Sequence, residues 1–180
     1  MAFVPIQALK EMTKGNIFFE TGTHKGDGIQ SALEVGFDQI ISIEIDKHFV
    51  EVSSNRFAKE ISNGQVQIFE GDTLKIMGDV IEKINEHITF WLDAHWDVGS
   101  SICGEKKCPL YEELNFIKNH QIKNHLILID DMRLMGSPEA WGVNVHKEKI
   151  IENILKINKD YKFSYINTPP FGEDVLVAQI

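Results

Sequence analysis

Ile17-Phe18-Phe19-Glu20-Thr21-Gly22-Thr23-His24-Lys25-Gly26-Asp27-Gly28 reads as a buried strand that runs directly into a glycine-rich turn. Ile29, Ala32 and Leu33 follow at helical spacing. An apolar run closed by an acid, then glycines, then a helical period is the opening strand–turn–helix of an α/β unit.

Working outward, the same alternation continues along the chain. A second strand is predicted over 40–45, ending near Glu44, with a helix placing Phe49, Val52, Phe57 and Ile61 inward. A third over 66–69 ends in Gly71-Asp72-Thr73, and Leu74, Met77, Ile81 and Ile84 recur at helical spacing after it. The fourth, 88–93, closes on Asp93 and enters an irregular loop through Cys108; Pro109 then suits a first helical turn. The fifth, 126–129, ends at Asp130-Asp131, and a helix with Ile150, Ile151, Ile154 and Leu155 follows. Strands alternating with helices predict a parallel sheet. The last two strands, 161–167 and 174–180, have only Thr168-Pro169-Pro170-Phe171-Gly172 between them, which predicts an antiparallel hairpin at the sheet edge. The whole is expected to be one Rossmann-like domain over residues 1–180, with seven mostly parallel strands and an antiparallel C-terminal strand.

With 180 residues, 43% hydrophobic and 25% charged, the chain suits one domain with a sizeable core. A net charge of −9 argues against nucleic acid, because phosphate binding needs clustered Lys and Arg, and the densest basic run is Lys106-Lys107. No stretch approaches the roughly 20 apolar residues that span a bilayer, and residues 1–10 lack the pattern of a signal peptide. Cys103 and Cys108 do not make a disulfide framework. A cytoplasmic protein with no membrane partner is the expectation.

In an open α/β sheet the ligand sits beyond the carboxyl ends of the strands, where strand order reverses. The turn after the first strand is therefore the candidate cofactor loop. Gly22, Gly26 and Gly28 allow tight turning and close approach, and Glu20 can attract the cationic part of a ligand. Glu44 can accept both hydroxyls of a ribose, as in dinucleotide and S-adenosylmethionine (SAM) sites alike. The glycine spacing separates the two. Dinucleotide sites want G-x-G-x-x-G, but His24 stands where the second glycine belongs and would crowd a pyrophosphate. A nucleotide-cofactor oxidoreductase is the less favoured alternative.

In this order the pieces resemble class I SAM-dependent methyltransferases, from about Asn16 to Met135. Closest in look are the metal-dependent small-molecule O-methyltransferases, typified by catechol O-methyltransferase, with macrocin-type sugar O-methyltransferases as further relatives. Phe19-Glu20-Thr21-Gly22 with Gly26 matches an E-x-G-x-x-x-G pattern. Ile41-Ser42-Ile43-Glu44-Ile45 matches the second strand, and Phe90-Trp91-Leu92-Asp93-Ala94-His95-Trp96 looks like F-L-D-H-W with one residue inserted. Leu128-Ile129-Asp130-Asp131 looks like L-A-D-N, and Leu110-Tyr111-Glu112-Glu113 resembles the helix before it. The resemblance implies methyl transfer from SAM to a hydroxyl-bearing small molecule or sugar. Glu20, Gly22, Thr23, His24, Gly26, Gly28, Glu44, Ile45, Asp72, Thr73 and Asp93 would hold the cofactor. Asp93 and His95 would be the catalytic residues.

Asp93, Asp130 and Asp131 end strands that are neighbours in such a fold, about 4.8 Å apart. Three oxygen ligands suit a hard ion, Mg²⁺ or another divalent cation, although an Asp after a strand also caps helices without metal. His95 can serve as base or line an adenine pocket; Trp96 stands where the catechol-type family has a lysine base. Cys103, Cys108 and His95 are a second, weaker metal set, for zinc. Arg133 can steer an anionic substrate, and Trp96 and Trp141 can wall it. With only residues 1–16 ahead of the first strand, the remaining walls come from 96–108, from 133–146 or from another subunit, so a homo-oligomer is one expectation. A non-catalytic SAM-binding domain is the other alternative.

Overall fold

The computed structural model describes residues 5–96, 101–137 and 141–180, with the side chains of Trp141 and Val143 excepted. Parts of both candidate wall segments, including Asp97 and the side chain of Trp141, therefore lie outside the described residues.

Seven strands form one sheet: β1 (Ile17–Thr21), β2 (Gln39–Glu44), β3 (Val66–Glu70), β4 (Ile88–Leu92), β5 (Leu126–Ile129), β6 (Lys162–Asn167) and β7 (Glu173–Gln179). Their order is β3-β2-β1-β4-β5-β7-β6. Pairing is parallel from β3 through β5, and β7 runs antiparallel to both of its neighbours. The terminal hairpin forms as expected, but its second strand enters the sheet. Val175–Ala178 is wholly buried between β5 and β6, and β6 takes the edge with a half-exposed pattern.

The period of two along each strand sorts side chains onto two faces. Phe19, Ile41, Phe90, Ile127 and Leu176 pack with Met77 and Ile81 of α5 (Thr73–Ile81), Leu114 and Ile117 of α6 (Leu110–Asn119) and Ile150 and Ile154 of α7 (Lys147–Ile157). Phe18, Ile40, Trp91, Leu128 and Val177 pack on the other face with Leu9 of α1 (Ile6–Met12) and Ile29 and Ala32 of α2 (Asp27–Val35). Asp46 and Asp72 accept the first free N–H groups of α3 (Lys47–Arg56) and α5, while left-handed Gly36 ends α2.

Two differences from the sequence expectation follow from helix phase. The segment after β2 is two helices, α3 and α4 (Ala58–Ser62), meeting at buried Phe57. Ser53, four residues before Phe57, points inward, and Val52 is exposed. In α7 the buried stripe is Ile150, Ile154 and Ile157, with Leu155 exposed. No helix among the described residues is long and apolar enough to cross a membrane.

Candidate active site

Strand order reverses between β1 and β4. A cavity of about 610 Å³ opens over their carboxyl ends, within the usual range of about 300–1,000 Å³ for small-molecule sites. Every residue expected to hold the cofactor lines it except Gly26.

The glycine loop is built tightly against the protein itself. A Cβ on Gly22 would lie 2.6 Å from the Asp93 carbonyl oxygen, one on Gly26 2.4 Å from the Phe57 ring, and one on Gly28 1.6 Å from Glu20 Oε1. His24 adopts φ +47°, uncommon outside glycine. Three contacts hold it there: its N–H donates to Glu44 Oε2 at 2.7 Å, Ser53 Oγ donates to its carbonyl at 2.8 Å, and its ring lies 4.1 Å from that of Phe49. Glu44 Oε1 accepts from the Asp46 N–H, so both oxygens of this cavity-lining residue are oriented by backbone and each keeps capacity to accept a further hydrogen bond.

Glu20 is buried beneath the loop. Ser42 donates to its Oε2 at 2.6 Å and is itself 2.5 Å from Thr23 Oγ1. Burial outweighs that hydrogen bond and pushes Glu20 up to about 8. Asp72 is less available than expected: its Oδ1 accepts from the Leu74 N–H and its Oδ2 from the Glu105 N–H, tying the 101–108 loop to the start of α5.

At the other end, Asp131 also sits at positive φ, +56°. His95 Nε2 lies 2.7 Å from Asp131 Oδ2 and 3.2 Å from Asp93 Oδ1, so one N–H bridges two carboxylates. Burial alone would lower His95, but these bonds and charges push it up to about 10, which makes it an imidazolium at neutral pH. Burial would raise Asp131, yet His95 and Arg133 together hold it below the ordinary carboxylate range. Burial and repulsion from Asp93 push Asp130 up to about 7. Arg133 Nη1 binds Asp131 and Asp174, its N–H donates to Asp174 Oδ1 at 2.8 Å, and its guanidinium lies 4.2 Å from the Phe171 ring centre. Behind this cluster, burial pushes Glu113 up to about 8 despite a hydrogen bond from Thr21.

The three aspartates expected to share a divalent ion do not converge on one point. Asp93 groups with His95 and Asp131; Asp130 groups with Asp131 and Asp174. Both oxygens of Asp131, the residue common to the two groups, already face cationic side chains. Each group keeps its ligand atoms within 4.8 Å of one another, so each could hold an ion, with His95 or Asp174 completing a set in place of the third expected aspartate. No cysteine belongs to either group, so the zinc set of Cys103, Cys108 and His95 is not assembled among the described residues.

Sequence reasoning missed Ser42 and Asp174. Ser42 is the one polar residue within Ile40–Ile43, and Asp174 interrupts the approach to an apolar strand; each was a visible signal.

No family model matches the chain. Among curated proteins, the "Probable ribosomal RNA small subunit methyltransferase A" of Methanospirillum hungatei is 34% identical over 86 residues, covering 43% of this chain and 33% of that protein. The chain thus spans about a third of the length of the curated relative it matches. Among solved structures, the O-methyltransferase TomG of Streptomyces achromogenes, in complex with SAM, superposes with TM-score 0.67 at 14% identity over 97% of this chain and 77% of that one. The O-methyltransferase of Bacillus cereus, in complex with S-adenosylhomocysteine (SAH), gives TM-score 0.67 at 11% identity, with 97% and 78% covered. These likenesses fix the fold. The chain shares with these two methyltransferases a seven-stranded, Rossmann-like α/β fold.

Proposed function

We propose that this chain transfers the methyl group of SAM to a hydroxyl oxygen of a small molecule. The observation that carries the reading is the cavity over the β1/β4 reversal, with Glu44 held at its rim by the His24 and Asp46 N–H groups. Glu44 would accept the ribose hydroxyls, and the loop from Gly22 to Gly28 would seat the methionine part. The lining holds nine Asp or Glu side chains, of which Glu20 and Asp130 are pushed up to about 8 and about 7, against Lys25, Lys106, Arg133 and the His95 ring. That balance favours a sulfonium and repels a pyrophosphate, which weighs against a nicotinamide cofactor. It also weighs against the RNA substrate that the Methanospirillum protein's name carries.

In the proposed step the acceptor oxygen attacks the methyl carbon in line, the C–S electron pair stays on sulfur to give SAH, and the hydroxyl proton leaves to solvent. Alignment of the two reactants supplies roughly 7–11 kcal/mol of barrier reduction. The wall formed by His95, Arg133, Phe171 and Thr168 is where the acceptor would lie. Beside that wall Asp93 and Asp131 meet His95, and Asp131 and Asp174 meet Arg133.

Titration calorimetry with SAH tests the reading. Binding is expected, and Glu44→Ala should weaken it roughly 10–100-fold, the scale of one or two charge-assisted hydrogen bonds at about 1.5–3 kcal/mol each. Absence of binding at about 1 mM SAH, an affinity of only about 4 kcal/mol, would sink it.

A further inference from the structure

Ser42 is wholly buried between Ile41 and Ile43 and stands in register beside Glu20 on the neighbouring strand. A buried hydroxyl costs free energy unless it is bonded, and this one has two partners. Its Oγ donates to Glu20 Oε2 at 2.6 Å and lies 2.5 Å from Thr23 Oγ1. Glu20 and Thr23 both line the cavity, and Ser42 stands behind them. Glu20 is confined on its other side as well, since its Oε1 lies where a Cβ on Gly28 would be. A hydroxyl owns one hydrogen. With that of Ser42 directed to Glu20, the hydrogen in the Ser42–Thr23 contact comes from Thr23. Both hydroxyl hydrogens are thus used inside the relay, and Glu20 and Thr23 are left to offer lone pairs alone. A protonated Glu20 would add a third hydrogen and allow the relay to run the other way; an ammonium placed against it selects the ionised arrangement.

We propose that Ser42 is a positioning residue that fixes how the amino-acid end of the cofactor is seated. By holding Glu20 and Thr23 as acceptors, it directs the ligand's ammonium towards them and its carboxylate away. This rests on the SAM reading of the cavity. A carboxylate against the same pair would meet only lone pairs, whereas an ammonium brings three donors. Ser42 acts through its two neighbours and reaches the ligand only through them.

Titration calorimetry tests it by comparing SAH with its analogue lacking the amino group, on the wild type, Ser42→Ala and Ser42→Thr. The wild type should bind SAH roughly 10–100-fold more tightly than the analogue, the scale of a hydrogen-bonded charge. Ser42→Ala frees the Thr23 hydrogen and loosens Glu20, so the ratio should fall by about tenfold through loss of SAH affinity alone. Ser42→Thr keeps a hydroxyl on the same carbon and should restore it. Equal weakening of both ligands in Ser42→Ala would mark a merely structural residue and overturn the proposal, as would an unchanged ratio. Should the Ser42 variants fail to fold, Thr23→Val removes the end of the relay at nearly constant volume: a lowered ratio supports the proposal, and an unchanged one overturns it. A wild type that binds both ligands alike refutes this seating and leaves the SAM reading standing, whereas binding of neither at about 1 mM ends both.

Discussion

Gly28 is held to glycine by a protein contact rather than by a ligand. A Cβ there would sit 1.6 Å from Glu20 Oε1, and that carboxyl is buried and fixed by Ser42. Alanine is the better helix former by up to about 1 kcal/mol, but an overlap of this size with a pinned, buried group outweighs it. Gly28→Ala should therefore destabilise the fold by about 1–3 kcal/mol, the usual cost of overpacking, or roughly 2–4 °C in Tm per kcal/mol. Scanning calorimetry checks the value. Pairing it with Glu20→Ala should recover part of the loss, and strict additivity would rule the contact out. The glycines at 22, 26 and 28 were legible as a turn from their spacing. What they turn against was not, because Asp93, Phe57 and Glu20 come from three different elements. Site residues at strand tips were legible for the same reason as the strands: each apolar run ends in an acid, as at Glu20, Glu44, Asp93 and Asp130. Which acid meets which cation depends on side-chain directions in the turns, and there the expected Asp93–Asp130–Asp131 trio gave way to two groups joined at Asp131.

Among the elements, strands were read to within about a residue because continuous Val/Ile/Leu/Phe runs have few alternatives. Helix phase was harder. One break at Phe57 turns Val52 out and Ser53 in, and no local signal in that amphipathic stretch marks the break. The insertion of β7 beside β5 was also hidden, since strand order is a property of long-range pairing. A further feature joins the end of α6 to the starts of β4 and β5. The Ile88 N–H donates to His125 Nδ1 at 3.0 Å, His125 Nε2 lies 2.8 Å from His120 Nδ1, and His120 Nε2 lies 2.8 Å from the Ile84 carbonyl oxygen. Only one assignment satisfies all three: His125 Nε2–H donates to His120, and His120 Nε2–H donates to Ile84, with both rings neutral. Burial, then the neighbouring His120 and His87, lowers His125 to about 3. Because the folded value lies below the ordinary histidine value of 6.5, this stability is full above about pH 6.5 and is lost as pH falls towards about 3. Wild type should exceed His125→Gln in stability at pH 7, and the gap should narrow on acidification by at most about 1.4 kcal/mol per pH unit. Denaturant melts from pH 4 to 7 measure it; a gap that does not change with pH refutes the neutral pair.

For the molecule as a whole, charge sorts the ligands. A chain of net charge −9 lines its cavity with nine Asp or Glu side chains, Glu20 and Asp130 among them pushed up to about 8 and about 7, against Lys25, Lys106, Arg133 and the His95 ring. A concave, low-dielectric wall with an excess of one sign focuses its field on whatever enters. SAM carries one net positive charge through its sulfonium, and SAH carries none, so the proposed reaction discharges the cofactor within that field. The cavity should accordingly favour the charged form by an electrostatic increment that the product lacks, which helps to expel SAH after transfer. Salt provides the test, because the screening length shrinks from about 10 Å at 0.1 M to about 3 Å at 1 M. Between those two concentrations the Kd for SAM should rise while the Kd for SAH stays nearly constant, as read by calorimetry on the same preparation. The difference should shrink in Asp93→Asn, which removes one of the buried carboxylates at the β4 tip, since His95 and Arg133 then balance more of what remains. Equal salt slopes for the two ligands would show that the carboxylates are neutralised within the fold, and the preference for SAM over its product would need a steric cause instead.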